Sequence, residues 1–299
     1  MKTLRQYIKE AQEKRIAIGH FNISNMEGVW AIAKAREVVS KELGYEVPVI
    51  MGVSEGERDF FGAKEIASVV KSIRATGVPV FLNADHTYSF ERVKEAIDAG
   101  YDAVIFDGTE LPFEENVKVA KQCVRYAKSK KPFFGEKVIV ESELGYIGKS
   151  SKVLEAVPEG ASISEESLVT PEQAREFVQK TGVDMLAPAV GNIHGMFAKG
   201  KDPALNIARV AEVSKATGGI PLVLHGASGN TDADVRSAIQ AGVAVVHVNT
   251  ELRVAFRNAL AETLTTNPKE VAPYKYLAPA RLAMQKVVEE KLRVFSTRV

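Results

Sequence analysis

Cysteine is almost absent from this chain, which has Cys123 alone among 299 residues. A single cysteine excludes an internal disulfide framework and is typical of a reducing cytoplasm. No run approaches the ~20 apolar residues that cross a bilayer, and the charged N-terminal stretch MKTLRQYIKEAQEKR lacks the apolar core of a signal peptide. The formal net charge is only +1, so no nucleic-acid or membrane partner is indicated. We therefore expect a cytoplasmic protein.

The overall composition is that of a globular protein, with 45% hydrophobic and 26% charged residues. A length near 300 is compatible with one large domain or two, and α/β barrels often exceed 200 residues as one domain. The sequence contains no clear linker, repeat or low-complexity tract. We expect one domain over residues 1–299.

Eight short apolar runs indicate strands that are buried on both faces. They are Arg15–Asn22, Val47–Ser54, Val78–Asp85, Asp102–Gly108, Lys137–Gly145, Asp184–Gly191, Pro221–Gly226 and Val243–Thr250. Helical patterns lie between them, and three of these begin with a capping residue and end on glycine: Ser89–Gly100, Thr170–Gly182 and Thr231–Gly242.

Eight strand–helix units predict an α/β fold of the (β/α)8 TIM-barrel type, with a doubly wound open sheet as the alternative. The stretch after Pro268 predicts a C-terminal helical extension packed on the barrel. The connection between Gly145 and Thr170 is long for a βα loop, so it is either an active-site lid or a solvated insertion.

Three of the five histidines follow predicted strands three, six and seven: His86, His194 and His225. In a barrel these strand ends share one face, where active sites lie. Three histidines with an open fourth position form a catalytic zinc site, which could also hold cobalt or iron. A hydrogen-bonded structural histidine is the alternative at each position. His20 and His247 lie near the ends of the first and eighth strands.

Four acidic residues lie close to these histidines in the predicted barrel. Asp85 precedes His86, and we interpret it as a general acid/base, with a helix cap near Ser89 as the alternative. Glu141 and Glu143 share one strand face, and supporting a metal-bound histidine from outside is one use for such a carboxylate pair. For Asp107 we favour a helix cap over a role as a second cation ligand.

The last two strand ends resemble a phosphate cradle. The HGASG turn supplies Gly226 and the Ser228 hydroxyl, and Asn249 and Thr250 precede a helix that starts near Glu251. Phosphate sites after strands seven and eight are frequent in TIM barrels, and helix N-termini attract anions.

Six motifs together match one known family: ADH, DGTELPFEEN, ESELG, GNIHGMF, LVLHGASG and NTEL. The chain resembles the metal-dependent class II fructose-bisphosphate and tagatose-bisphosphate aldolases, from AIGHFNISNMEG to YLAPARLAM. The resemblance implies a homodimer or homotetramer acting on sugar phosphates in the cytoplasm. It implies Zn²⁺, Co²⁺ or another divalent metal as cofactor, and a monovalent cation is a further candidate.

The resemblance also assigns roles to individual residues. His86, His194 and His225 would bind the metal, Glu143 would lie near it, and Asp85 would protonate the aldehyde-derived oxygen. Arg253 would bind a second phosphate. The donor phosphate and other substrate contacts would involve Gly195, Gly226, Ser228, Asn249, Thr250, Asn22 and Ser54.

Three positions depart from the family pattern. Ser151 stands where the family carries a loop glutamate that moves the carbon-bound proton, and Glu155 or Glu159 could replace it. His247 stands in place of an asparagine that contacts the donor, and Val245 in place of a lysine. The metal ligands are thus retained, whereas the groups that handle the donor are altered.

Zinc-dependent reversible cleavage of a ketose (bis)phosphate is the function that we expect first, for example fructose 1,6-bisphosphate to dihydroxyacetone phosphate and glyceraldehyde 3-phosphate. An aldolase for unphosphorylated dihydroxyacetone is the second hypothesis, of the fructose 6-phosphate type, because His247 and Ser151 depart from the pattern. A metal- or sugar-phosphate-binding barrel with little catalysis is the third. Lysines are scarce at strand ends, which disfavours a Schiff-base route.

Overall fold

Eight parallel strands close into a barrel in the computed structural model, which describes residues 2–130, 136–148, 153–157, 159–161, 163–197 and 203–297. The strands are β1 Ile18–Asn22, β2 Val49–Val53, β3 Val80–Thr87, β4 Ala103–Phe106, β5 Ile139–Leu144, β7 Met185–Pro188, β9 Leu222–Leu224 and β10 Val243–Val248. Their order around the barrel is β1-β10-β9-β7-β5-β4-β3-β2. All eight predicted strands are confirmed, and the open-sheet alternative is wrong.

Helices surround the barrel and mostly alternate with its strands. They are α1 Leu4–Lys14, α2 Met26–Leu43, α3 Glu55–Phe61, α4 Ala63–Ala75, α5 Phe90–Ala99, α6 Phe113–Ser129, α7 Pro171–Thr181, α8 Ile207–Ala216, α9 Asp232–Ala241, α10 Thr250–Thr266, α11 Pro273–Tyr276 and α12 Ala278–Ser296. The three predicted caps are confirmed, because Ser89, Thr170 and Thr231 each accept a hydrogen bond from the backbone three residues on. The predicted C-terminal extension is α11 with α12, and α12 packs against α2.

The apolar core has two layers. One fills the space between the sheet and the surrounding helices, and the other fills the barrel interior. Leu4, Ile8 and Ala11 of α1 join the inner layer with Ile18 and Phe81. Because α1 leads into β1, it closes the N-terminal end of the barrel and leaves the C-terminal end for polar residues. Within the described ranges, no helix is long and apolar enough to cross a membrane.

The long connection after β5 is tied to the segment that carries His194. Two short strands, β6 Val153–Leu154 and β8 Met196–Phe197, pair in parallel outside the barrel. The Ile147 carbonyl also accepts a hydrogen bond of 2.9 Å from the His194 amide. Sequence periodicity did not predict this small ladder. Glu155 and Glu159 are exposed, and Ser151 lies outside the described residues.

Candidate active site

An irregularity in β3 brings Asp85 and His86 to the barrel mouth together. Adjacent residues of a regular strand point to opposite faces. Here the register between β3 and β4 shifts between Ala84 and Thr87, and His86 takes a left-handed φ of 42°. The shift leaves His86 Nε2 only 3.8 Å from Asp85 Oδ1. A non-glycine residue in this conformation is strained, as is common at functional sites.

The three predicted metal ligands converge at this mouth. Ring centroids lie 4.5 Å apart for His86 and His194, and 5.0 Å apart for His86 and His225. Together with Glu143, each offers one ligand atom, and these four atoms lie within 4.8 Å of one another. His194 Nε2 is buried without a hydrogen-bond partner among the described residues. Imidazole nitrogens with a carboxylate suit a divalent transition metal, and the unpartnered nitrogen is explained by one.

Carboxylates orient two of these histidines. His225 Nε2 lies 2.7 Å from Glu141 Oε1, and its Nδ1 lies 2.8 Å from Glu143 Oε1. His86 Nδ1 lies 3.1 Å from both Asp107 Oδ2 and Glu143 Oε1. Contacts of this kind fix ring orientation around a metal. Glu141 therefore lies beside His225, where a carboxylate could support a metal-bound histidine.

The same carboxylates control the charge of the histidines. Burial alone would lower the pKa of His86, but the charges of Glu143 and Asp85 and the contact with Asp107 outweigh burial and raise it to about 9. Burial also lowers the pKa of His225, but the contacts with Glu143 and Glu141 outweigh burial and hold this pKa well above its usual value. For His194, burial and the neighbouring histidines lower the pKa.

Asp107 is not a helix cap, so that prediction is wrong. Helix α6 begins at Phe113, and within the described part of the chain no side chain caps it. Instead, Asp107 Oδ1 accepts hydrogen bonds from the Thr109 amide and hydroxyl, at 3.2 and 2.7 Å, while Oδ2 faces His86. Burial would raise the pKa of Asp107, but the contacts with His86 and Thr109 lower it.

Asp85 is buried, and each of its oxygens has a polar neighbour. Oδ2 accepts a hydrogen bond of 2.8 Å from Asn22 Nδ2, and Oδ1 lies 3.4 Å from His247 Nδ1. Burial would raise its pKa, yet His86, His247 and His20 keep it well below the usual range. The cap alternative for Asp85 is wrong, because Ser89 caps α5.

His247 lies between two other imidazoles. Its ring stacks on His20 at 3.5 Å between centroids and on His225 at 4.1 Å. His20 Nε2 in turn lies 3.1 Å from Asn83 Nδ2. Sequence reasoning placed His20 near a strand end without giving it a role in the site. The sequence offered a signal, because both histidines lie near the C-terminal ends of strands, and the first and last strands adjoin in a closed barrel.

The predicted phosphate cradle forms one small cavity with the metal-site residues. Gly226 has a φ of 65°, and a Cβ there would come within 1.9 Å of the Ile193 carbonyl oxygen, so glycine is required. The Asn249 amide donates to Ser228 Oγ at 3.4 Å, just before α10 begins. The cavity is lined by Asn22, Asp85, His86, His194, Gly195, Gly226, Ser228, His247, Asn249 and Thr250.

Ser54 and Arg253 are both engaged by Glu57, a residue that sequence analysis missed. Ser54 caps α3 by accepting from the Glu57 amide, and its hydroxyl donates to Glu57 Oε2 at 2.9 Å. Arg253 donates to Glu57 Oε1 at 2.6 Å. A serine followed by glutamate three residues on is the capping-box signature, which could have identified this pair.

Comparison with known proteins places this barrel in a family. The family model "Fructose-bisphosphate aldolase class-II" matches residues 2–298. A probable fructose-bisphosphate aldolase of Bacillus subtilis (strain 168) is 38% identical over 299 residues, which cover 99% of this chain and 97% of the relative. A fructose-bisphosphate aldolase of Staphylococcus epidermidis is 36% identical over 300 residues, with the same coverage. The chain belongs to the class II fructose-bisphosphate aldolase family.

Solved structures share the fold. The YdjI aldolase from Escherichia coli K12 superposes with a TM-score of 0.76 at 29% identity, covering 98% of this chain and 96% of the other. The fructose-bisphosphate aldolase of Campylobacter jejuni gives a TM-score of 0.77 at 20% identity, covering 98% and 94%. At that identity the second likeness concerns the fold alone.

Proposed function

We propose that this protein catalyses the reversible aldol cleavage of a ketose phosphate, such as fructose 1,6-bisphosphate, with zinc or another divalent metal as cofactor. The products would be dihydroxyacetone phosphate and an aldehyde. The observation that carries the proposal is the convergence of His86, His194, His225 and Glu143, with the buried and unpartnered His194 Nε2 among them. Family membership and the names of the relatives support the aldol reaction. We also propose a single domain over residues 1–299, because the family match runs over residues 2–298.

His86, His194 and His225 would hold the metal, with Asp107 orienting the ring of His86 and Glu141 orienting the ring of His225. When bound, a divalent metal supplies Lewis-acid polarisation of the donor ketone carbonyl. Glu143 lies between the rings of His86 and His225, where its carboxylate would offset part of the positive charge of a bound metal.

Asp85 would move the proton of the hydroxyl at the bond that breaks. Its pKa is held below the usual range, so its carboxylate is ionised and ready to accept that proton during cleavage. In condensation it would return the proton to the aldehyde-derived oxygen. Asn22 supports this role by fixing one carboxylate oxygen at 2.8 Å.

The donor phosphate would lie at Gly195, Gly226, Ser228, Asn249 and Thr250, near the N-terminus of α10. One observation favours a second candidate, an aldolase for unphosphorylated dihydroxyacetone. His247 lines the same cavity and stacks on His225. The donor would therefore meet an imidazole at the position where the family pattern has an asparagine amide.

Cleavage assays before and after chelation test the proposal. We expect cleavage of fructose 1,6-bisphosphate or fructose 1-phosphate to be lost with the metal and restored by zinc or cobalt. Asp85→Asn should retain the metal while kcat falls by roughly 10²- to 10⁴-fold. Preferential cleavage of fructose 6-phosphate would favour the second candidate. A protein with full metal content that cleaves none of the three would contradict both and indicate a binding barrel.

A further inference from the structure

The carboxylate of Glu57 is buried at the edge of the site and accepts hydrogen bonds on both oxygens. Its side chain is 7% exposed. Oε1 accepts from Ser24 Oγ at 3.0 Å and from the Arg253 guanidinium at 2.6 Å. Oε2 accepts from the Ser54 amide at 2.8 Å and from Asn22 Nδ2 at 3.1 Å. A buried carboxylate with this many donors is held in one position.

Glu57 reaches the reacting part of the site through one amide group. Asn22 Nδ2 donates both to Glu57 Oε2 and to Asp85 Oδ2. The carboxylates of Glu57 and Asp85 therefore flank the Asn22 amide, and the Arg253 guanidinium balances the charge of Glu57. The ion pair is next to the group that we propose to protonate the aldehyde-derived oxygen, which places it on the aldehyde side of the cavity.

Arg253 belongs to the first turn of α10, and its amide donates to the Asn249 carbonyl at 3.2 Å. Its side chain is 44% exposed, so a ligand at the mouth can reach it. However, a phosphate arriving there would compete with Glu57 for the guanidinium and would be repelled by the Glu57 and Asp85 carboxylates. An uncharged hydroxyaldehyde meets neither obstacle.

We propose that Glu57 is a specificity-determining residue that neutralises Arg253 beside Asp85, so that the site selects an unphosphorylated aldehyde over a phosphorylated one. The inference rests on the proposed aldolase function and narrows it to ketose 1-phosphates. Glu57 acts through Arg253 and Asn22, which makes it a positioning residue.

The test is a comparison of two acceptors in the condensation direction. Metal-loaded enzyme is given dihydroxyacetone phosphate with either D-glyceraldehyde or D-glyceraldehyde 3-phosphate. The ratio of the two kcat/KM values is taken on one preparation, so a partly inactive fraction cancels from it. The variants are Glu57→Gln, Arg253→Gln and the double variant. Glutamine matches the shape of glutamate and keeps an oxygen that accepts from Asn22.

We expect wild type to prefer D-glyceraldehyde. Glu57→Gln should move the ratio toward the phosphorylated acceptor by about tenfold, because the freed guanidinium makes a charge-assisted contact with phosphate. Arg253→Gln should move the ratio away from the phosphorylated acceptor by at least about twofold, because the Glu57 carboxylate is then unpaired and repels phosphate. The double variant has no charge at either position, so it should return to within about twofold of wild type.

An unchanged ratio in Glu57→Gln, or a double variant that keeps the Glu57→Gln shift, would overturn the inference. A loss of about tenfold or more for the phosphorylated acceptor alone in the double variant, relative to wild type, would mean that Arg253 already serves a phosphate, and would also overturn the inference. If Glu57→Gln does not fold, the wild type still decides, because a wild-type preference for D-glyceraldehyde 3-phosphate would overturn the inference as well. Wild-type enzyme that uses neither acceptor would instead overturn the proposed aldolase function, and this inference with it.

Discussion

The imidazole rings of His20 and His247 are stacked, with their centroids 3.5 Å apart and an angle of 3° between the ring planes. The two residues are register partners on the adjacent strands β1 and β10. Burial lowers the pKa of both rings, to about 4 for His20, against an opposing effect of the Asp85 carboxylate. Stacking at this distance therefore joins two uncharged rings at neutral pH.

The lowered pKa of His20 predicts that the folded protein loses stability in acid. The pKa of His20 is about 4 in the folded protein and about 6.5 when unfolded, so the folded state binds fewer protons between these values. The contribution of His20 to the free energy of unfolding is therefore fully present above pH 6.5. It decreases by at most about 3 kcal/mol as the pH falls toward 4. Urea unfolding of the metal-free protein at several pH values should show this loss in wild type. In His20→Gln the loss should be smaller, and equal losses in both would contradict the prediction.

Removing the carboxylate behind His225 should weaken metal binding. Glu141 Oε1 lies 2.7 Å from His225 Nε2, and both side chains are fully buried. We expect Glu141→Gln to lower metal affinity by roughly 10- to 100-fold, because an outer carboxylate orients the ring and raises its basicity. Competition with a chelator of known affinity measures the change. Glu114→Gln, at an exposed ion pair with Lys180, is the matched control, and equal affinities in the two variants would count against this role.

Two glycine substitutions should have opposite effects on stability. At Gly226, an added methyl group would meet the Ile193 carbonyl in a left-handed backbone conformation, so Gly226→Ala should cost at least about 2 kcal/mol and disturb the His225 turn. In Gly56→Ala, the methyl group would have no described atom within 4 Å, and the gain in helix propensity should stabilise α3 by about 0.5–1 kcal/mol. Denaturation midpoints of the two variants measure the contrast. Similar midpoints would show that the close approach at Gly226 is relieved by movement of the turn.

The thiol of Cys123 should be inert in the folded protein. It is buried on the inner face of α6, and burial raises its pKa to about 12. We expect no reaction with a thiol-specific reagent at pH 8 under native conditions and one equivalent in denaturant. Rapid labelling of the native protein would instead indicate that α6 opens locally.

The barrel and most of the site were predictable because they depend on local patterns. Apolar runs and cap residues give the strands and helices, and strand ends of a barrel share one face, so His86, His194 and His225 had to approach one another. The helix cap assigned to Asp107 was wrong because α6 begins only after Pro112, while the Asp107 carboxylate faces His86 from β3.

Other features depend on tertiary structure and leave little local signal. The left-handed conformation of His86 results from the register shift between β3 and β4. The β6–β8 ladder joins two residues from each of two loops. Glu57 carried a local capping signal, but its contacts with Asn22 and Arg253 join β1, α3 and α10, which no sequence period relates.

The pairing of β1 with β10 also bears on how the protein is made. Asn22 comes from the first strand and Asn249, Thr250 and Arg253 follow the last, so the pocket has parts from an early and a late stretch of the chain. During synthesis, β1 must remain without its final neighbour until β10 has left the ribosome. Nascent chains that stop before β10 should contain all three proposed histidine ligands and still lack a working pocket, since closure of the barrel is a late, long-range event.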